Sequence, residues 1–172
     1  MPTFIEVCAG AGGLSSGLID AGFTPILLND NNKDCCATLR LNHPDTNIQC
    51  CSMTDLKLKR YANKIDLLTG GVLCQSWSIA GQRLGLEDPR GNLLLLFIKM
   101  VHYVKPKIFM IENVKGLMNH NGGKTFKYII KFIEKRGLYK VSFKLLNAAD
   151  YKVPQKKRKD IYCRCIKNIG RC

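Results

Sequence analysis

Cys74 lies in the segment Gly70-Gly71-Val72-Leu73-Cys74-Gln75-Ser76-Trp77-Ser78, which is followed by Gly81-Gln82-Arg83 and Asp88-Pro89-Arg90-Gly91. A cysteine is more often small apolar filler than a nucleophile. This one follows an apolar run and opens a long polar stretch rich in amide and basic side chains. Catalytic residues commonly sit in such stretches, and a thiolate is intrinsically strong toward electrophilic carbon. A second candidate is Glu112, in Glu112-Asn113-Val114-Lys115-Gly116-Leu117. A carboxylate there commonly caps a helix or pairs with a lysine. Beside a thiolate and a base, its protonated form can instead give a hydrogen bond to a ring nitrogen.

The third feature is Cys8-Ala9-Gly10-Ala11-Gly12-Gly13. Glycines between a strand and a helix let the backbone approach a ligand closely, and a helix N-terminus usually favours anions. The spacing is Gly-x-Gly-Gly, however, and no basic residue is near. With Asp30 at the end of the next apolar run, the site suits ribose hydroxyls while tolerating a positive ligand. S-adenosylmethionine, a sulfonium cation without phosphate, fits better than a dinucleotide. Taken alone, a glycine-rich segment of this kind is more often a structural turn.

The elements that must carry these residues follow from hydrophobic period. Strands are expected at Phe4 to Val7, Pro25 to Leu28, Ile65 to Thr69 and Lys107 to Ile111, and a closing pair at Tyr139 to Leu146 and Ile161 to Cys165. Helices are expected at Leu14 to Ala21, Lys33 to Asn42, Asn92 to Val104 and Lys124 to Lys135. Short strands alternating with helices predict an α/β fold with a mostly parallel sheet and a closing antiparallel pair. In open α/β sheets ligands bind at the carboxyl ends of the strands. The Gly10 turn, Asp30, the Cys74 loop and Glu112 all fall on that edge.

The 172 residues suit a single domain, and no apolar run is long enough for a membrane span. Nine cysteines without regular spacing indicate reduced intracellular thiols and make no zinc pattern, so no metal is expected. The net charge of +14 calls for an anionic partner, nucleic acid first. Its distribution is uneven. Residues 1–32 hold no Lys or Arg, whereas residues 152–172 hold eight against the one acid Asp160.

The four motifs together are identified with a known family. Phe4 to Phe23 resembles motif I of the DNA (cytosine-5) methyltransferases, and Gly70 to Leu93 their Pro-Cys-Gln motif. Glu112 to Leu117 matches their Glu-Asn-Val motif, and Leu146 to Gln155 their Asn-Ala-x-Asp-Tyr-Gly-x-Pro-Gln segment. Order and spacing agree across essentially the whole chain, and Cys-Gln-Ser-Trp-Ser is closest to the restriction-modification type. The resemblance implies a Rossmann-like S-adenosylmethionine-dependent fold acting on a cytosine flipped out of DNA. It makes Cys74 the nucleophile at C6 and Glu112 the group at N3, with Lys157 and Lys159 at the positions that contact O2. It assigns the cofactor to Cys8, Gly10, Gly12, Gly13, Asp30 and Ser52. It assigns DNA to the closing loop with Gln75, Ser78, Gln82, Arg83 and Arg90.

Departures from the family pattern are specific. Leu73 replaces the proline before the cysteine, Cys8 an aromatic, Asn31 an aromatic after the acid, and Ser52 an aspartate. Lys152 replaces a glycine where a special backbone angle is wanted. Lys157-Arg158-Lys159 stands for Arg-x-Arg, with Asp160 as an insertion before the last strand. Family members continue into a target-recognition domain and a final motif. A second chain supplying both, a truncated product and a fragment are equally compatible with the sequence. The expected activity is cytosine-5 methylation of DNA with a complementing chain. A non-catalytic nucleic-acid-binding remnant and a tRNA cytosine-5 methyltransferase are the alternatives.

Overall fold

The computed structural model describes residues 1–72, 91–114, 116–153 and 158–167. In chain order the elements are β1 (Thr3–Val7), α1 (Gly13–Asp20), β2 (Thr24–Asp30), α2 (Lys33–Asn42) and β3 (Asn47–Cys50). They continue with β4 (Leu67–Gly70), α3 (Gly91–Val104), β5 (Ile108–Val114), α4 (Gly116–Asn119), α5 (Lys124–Glu134), β6 (Tyr139–Asn147) and β7 (Arg158–Lys167). The strands form one sheet in the order β3-β2-β1-β4-β5-β7-β6. Pairing is parallel from β3 through β5, while β7 runs antiparallel to both β5 and β6. This is the expected α/β sheet with its closing antiparallel pair.

Side chains alternate between two apolar layers, as the strand period of two requires. Ile5, Val7, Leu27, Leu68, Phe109 and Ile111 pack with the buried face of α3 and with Ile129 and Ile133 of α5. Phe4, Leu28 and Leu67 pack on the other face with Leu18 of α1 and Leu39 of α2. Both faces of the central strands are therefore covered, which explains why their sequences read as continuous apolar runs.

Four elements differ from the expectation, the one-turn helix α4 among them. Strand β3 has the sequence Asn-Ile-Gln-Cys, short and half exposed, so it carries too little periodicity to be read alone. Strand β5 runs on through Glu112 and Asn113 to Val114. Strand β7 begins at Arg158, so Asp160 is not an insertion before it: Asp160 pairs in register with Asn113 on one side and Leu145 on the other. A strand held between two neighbours tolerates a charged residue that a lone segment would place in a turn. Among the described residues no helix is long and apolar enough to cross a membrane.

Candidate active site

Strand β1 is buried to its end, and the chain then reverses over Cys8 to Gly12. Cys8, Gly10 and Gly12 all take positive φ, at 53°, 57° and 92°. Gly10 and Gly12 adopt this conformation freely, but Cys8 adopts it against its Cβ. Hydrogen bonds hold the reversal. Ala9 N–H donates to Asn29 O at 2.9 Å, and Gly12 N–H to Ala9 O at 3.0 Å. The glycines differ in what they do. A Cβ at Gly12 would stand 2.9 Å from Leu39 Cδ2, so this glycine permits close packing of α1 on α2. A Cβ at Gly10 or Gly13 would meet nothing within 4 Å, so those two border open space.

Asp30, at the end of β2, is the organiser of this loop. Its Oδ2 accepts from Gly10 N–H and its Oδ1 from Asn32 N–H, both at 2.8 Å. Each carboxylate oxygen retains a second lone pair for a ligand. Asn32 in turn caps α2, its side-chain oxygen accepting from Asp34 N–H and Cys35 N–H. The backbone of Asp30 also receives Cys51 N–H at 3.1 Å. That bond brings the following residue, Ser52, to the same edge. The Ser52 hydroxyl caps the short turn Met53–Asp55 and lies 2.7 Å from Thr54 Oγ1.

Sequence reasoning passed over three buried polar residues that build this edge. Asn29 is 1% exposed, and its amide donates to Gln49 O at 2.9 Å and Cys51 O at 2.8 Å, tying β2 to the segment that carries Ser52. Glu6 is 1% exposed and accepts a short hydrogen bond from Ser15 of α1. Burial, with a smaller contribution from Asp30, pushes the Glu6 carboxyl up to about 7. The signal was in the sequence: a carboxylate within Phe4-Ile5-Glu6-Val7 has no solvent face. Burial, then Asp30 and Glu6, push the Cys8 thiol up to about 11, so it is neutral at physiological pH.

The third overlooked residue is Asn113, 3% exposed, whose amide donates to Val72 O at 3.4 Å. This bond connects β5 to the chain just beyond β4. Here the backbones are close: a Cβ at Gly71 would lie 3.5 Å from Glu112 Oε2 and 3.6 Å from Cys8 O. Glu112 thus stands beside the Gly71–Val72 backbone and within one residue's width of the glycine loop. Lys159 enters through register: it pairs with Val114, two residues beyond Glu112.

The structure therefore brings Cys8, Gly10, Gly12, Gly13, Asp30, Ser52 and Glu112 to the carboxyl edge of the parallel strands, with the backbone of Lys159 alongside. Cys74, Gln75, Ser78, Gln82, Arg83, Arg90 and Lys157 lie outside the described residues. Lys152 takes a φ of 64°, the left-handed conformation for which glycine is favoured.

Comparisons with known proteins agree with this fold. The type II methyltransferase M.PspPI of Psychrobacter sp. is 43% identical over 157 residues, covering 91% of this chain and 38% of its own. The type II methyltransferase M.AquIA of Picosynechococcus sp. is 42% identical over 165 residues, covering 88% of this chain and 66% of its own. The chain thus spans between about two fifths and two thirds of the length of these relatives. In fold, the Entamoeba histolytica methyltransferase EhMeth superposes with a TM-score of 0.76 at 21% identity, over 99% of this chain and 55% of that one. The family model for C-5 cytosine-specific DNA methylases matches residues 2–170. The chain belongs to that family.

Proposed function

We propose that this chain is the catalytic and cofactor-binding unit of a DNA (cytosine-5) methyltransferase, using S-adenosylmethionine, with Cys74 as nucleophile. The observation that carries the reading is the convergence of Gly10, Asp30 and Glu112 on one edge, beside the backbone that leads into Cys74. Cys74 follows Val72 by two residues, about 7 Å of chain at most. Asn113 fixes the Val72 carbonyl, so it is the positioning residue for that approach.

The pocket chemistry fits the cofactor. A helix N-terminus alone would favour a phosphate. Here Glu6 and Asp30 surround it, and residues 1–32 hold no Lys or Arg, which favours a neutral or cationic ligand. Gly10 and Gly13 leave room against the backbone, and the remaining Asp30 lone pairs accept from ribose hydroxyls. Cys8, a neutral thiol in place of an aromatic, would border the adenine. Bound there, S-adenosylmethionine supplies an electrophilic methyl group.

The protein's own residues do the rest. Cys74 thiolate adds to C6 of the flipped cytosine, and the electrons of the C5–C6 double bond move to C5. Glu112 binds N3 and, by giving it a hydrogen bond or proton, stabilises the charge that develops in the ring. Lys157 and Lys159 hold O2. After methylation at C5, removal of the C5 proton re-forms the double bond and expels Cys74. Gln75, Ser78, Gln82, Arg83 and Arg90 contact the DNA and occupy the gap left by the base. Reading of the target sequence is assigned to a complementing chain. The enzyme is intracellular.

The direct test is trapping on duplex DNA containing 5-fluorocytosine, where the missing C5 proton prevents release of Cys74. With S-adenosylmethionine and a candidate recognition subunit, the chain is expected to give a stable protein–DNA adduct, absent in Cys74→Ser. Glu112→Gln should slow methyl transfer by about 10²- to 10⁴-fold. Adduct formation that persists in Cys74→Ser would contradict the assignment.

A further inference from the structure

The opposite edge of the sheet holds a cavity of about 560 Å³ that the methyl-transfer chemistry does not use, lined by Lys99, His102, Tyr103, Phe132, Lys135 and Arg136. Its position follows from the topology. Helix α3 runs back from the carboxyl end of β4 toward the start of β5, and α5 does the same before β6. His102 and Tyr103 end the first helix, and Phe132, Lys135 and Arg136 end the second. Tyr139 O–H donates to Pro106 O at 2.8 Å, confirming that both helix ends lie at the amino-terminal edge.

Among the described residues the lining has three basic side chains and no carboxylate. Among the described residues none of the three is ion-paired. The acid nearest in sequence, Glu134, is engaged elsewhere: it accepts from Val141 N–H of β6 at 3.3 Å. Basic residues at a helix C-terminus often only offset its dipole. That accounts for Lys135 and Arg136, but not for Lys99 midway along α3, nor for the concave space they share.

The cavity also has an aromatic wall held in place. His102, 6% exposed, donates from Nε2 to Ile133 O at 3.1 Å, locking α3 to α5. Phe132 lies against the His102 ring at 6.2 Å between centroids and is stacked with Tyr128, also at 6.2 Å. Burial raises the Tyr103 phenol above its usual range, so it remains a neutral hydrogen-bond donor. Flat rings beside clustered cations match a ligand that is aromatic at one end and anionic at the other.

We propose that this cavity is a second ligand site, separate from the cofactor edge, that takes a nucleotide: its phosphates on Lys99, Lys135 and Arg136, its base against Phe132 and Tyr103. The nucleotide is either free or one unit of a nucleic-acid strand. Uridine 5′-diphosphate is a suitable probe because it lacks the adenine that the cofactor edge would also accept.

Calorimetry on the full chain with uridine 5′-diphosphate and with inorganic pyrophosphate tests the site. Lys99→Glu/Arg136→Glu, both at exposed positions, should weaken both ligands at least tenfold while leaving S-adenosylmethionine affinity unchanged. Phe132→Leu should remove the preference for the nucleotide over pyrophosphate. Fluorescence anisotropy with single-stranded oligothymidylate at fixed salt separates the two sources. Weakening of the oligonucleotide in parallel with the nucleotide places the unit within a strand. Weakening of the nucleotide alone identifies a free ligand. Affinities for both that stay within twofold of wild type in a charge-reversed variant with native circular dichroism would overturn the proposal, as would no measurable nucleotide binding by the wild-type chain.

Discussion

Two carboxylates at opposite ends of the same sheet show what the fold spends on each edge. Asp66, just before β4, accepts from Thr3 N–H at 2.7 Å and pairs with Lys107 at 2.6 Å. It thereby ties together the starts of β1, β4 and β5. Lys107 first, then the Thr3 N–H, hold its carboxyl below the usual range. Glu6, three residues along β1 from Thr3, is buried and, among the described residues, has no cation beside it and only the Ser15 hydroxyl to offset its burial. The first arrangement stabilises the protein. The second costs stability, and it lies under the glycine loop. The edge that Asp66 holds together and the edge proposed to receive the cofactor are thus distinguishable by how each treats a charge.

The largest effect that would sharpen this contrast is steric. Gly70, where β4 meets the glycine loop, has no space for a methyl group: a Cβ would stand 2.7 Å from Val7 O and 2.9 Å from Val7 Cγ2. Gly70→Ala should cost about 3 kcal/mol in urea unfolding, because backbone cannot yield as a side chain would. A cost below about 0.5 kcal/mol would show that this edge is looser than described.

Next comes Glu6. A carboxyl raised from 4.5 to about 7 in the folded state binds more protons folded than unfolded across that interval, so stability falls as pH rises through it. The full penalty is about 3 kcal/mol above pH 7. Glu6→Gln removes it and should stabilise the protein by about 2 kcal/mol at pH 8, and by far less at pH 5. Equal effects at the two pH values would contradict the buried, cation-free account.

Asp66 has the opposite sign. Its folded-state value is lowered, so its contribution is present above the ordinary carboxylate range and is lost as pH falls through the lowered value. Lys107 is 75% exposed, which limits the ion pair, so Asp66→Asn should cost about 1 kcal/mol at pH 7. That cost should vanish in strong acid. The smallest effect is at Lys152, where replacement by glycine relieves a left-handed residue and should stabilise the protein by about 0.5 kcal/mol, measurable as a small rise in Tm.

Much of the geometry of the proposed ligand edge was readable in the sequence because its turns are local. Gly10, Gly12 and Asp30 sit at strand ends that apolar runs announce, and Lys152 occupies a position whose backbone angle a glycine motif marks. Strand β3 was not readable, since Asn47 to Cys50 is recognised only by pairing with β2. The same holds for Asn29 and Asn113, whose roles come from partners 20 and more residues away. Asp160 misled because the family's Arg-x-Arg pattern set it before the strand, while the two strands that flank it are distant in sequence. The basic cavity between α3 and α5 was invisible for that reason too, because Lys99 and Arg136 meet only through helix packing.

The central claim, that the edge carrying Asp30 is the cofactor edge, is tested most directly by calorimetric titration of S-adenosylmethionine into the chain, alone and with a candidate recognition subunit. The account predicts one site whose affinity falls at least tenfold in Asp30→Ala and is unchanged in Asp66→Ala. Absence of binding under both conditions, or equal loss in the two variants, would contradict it.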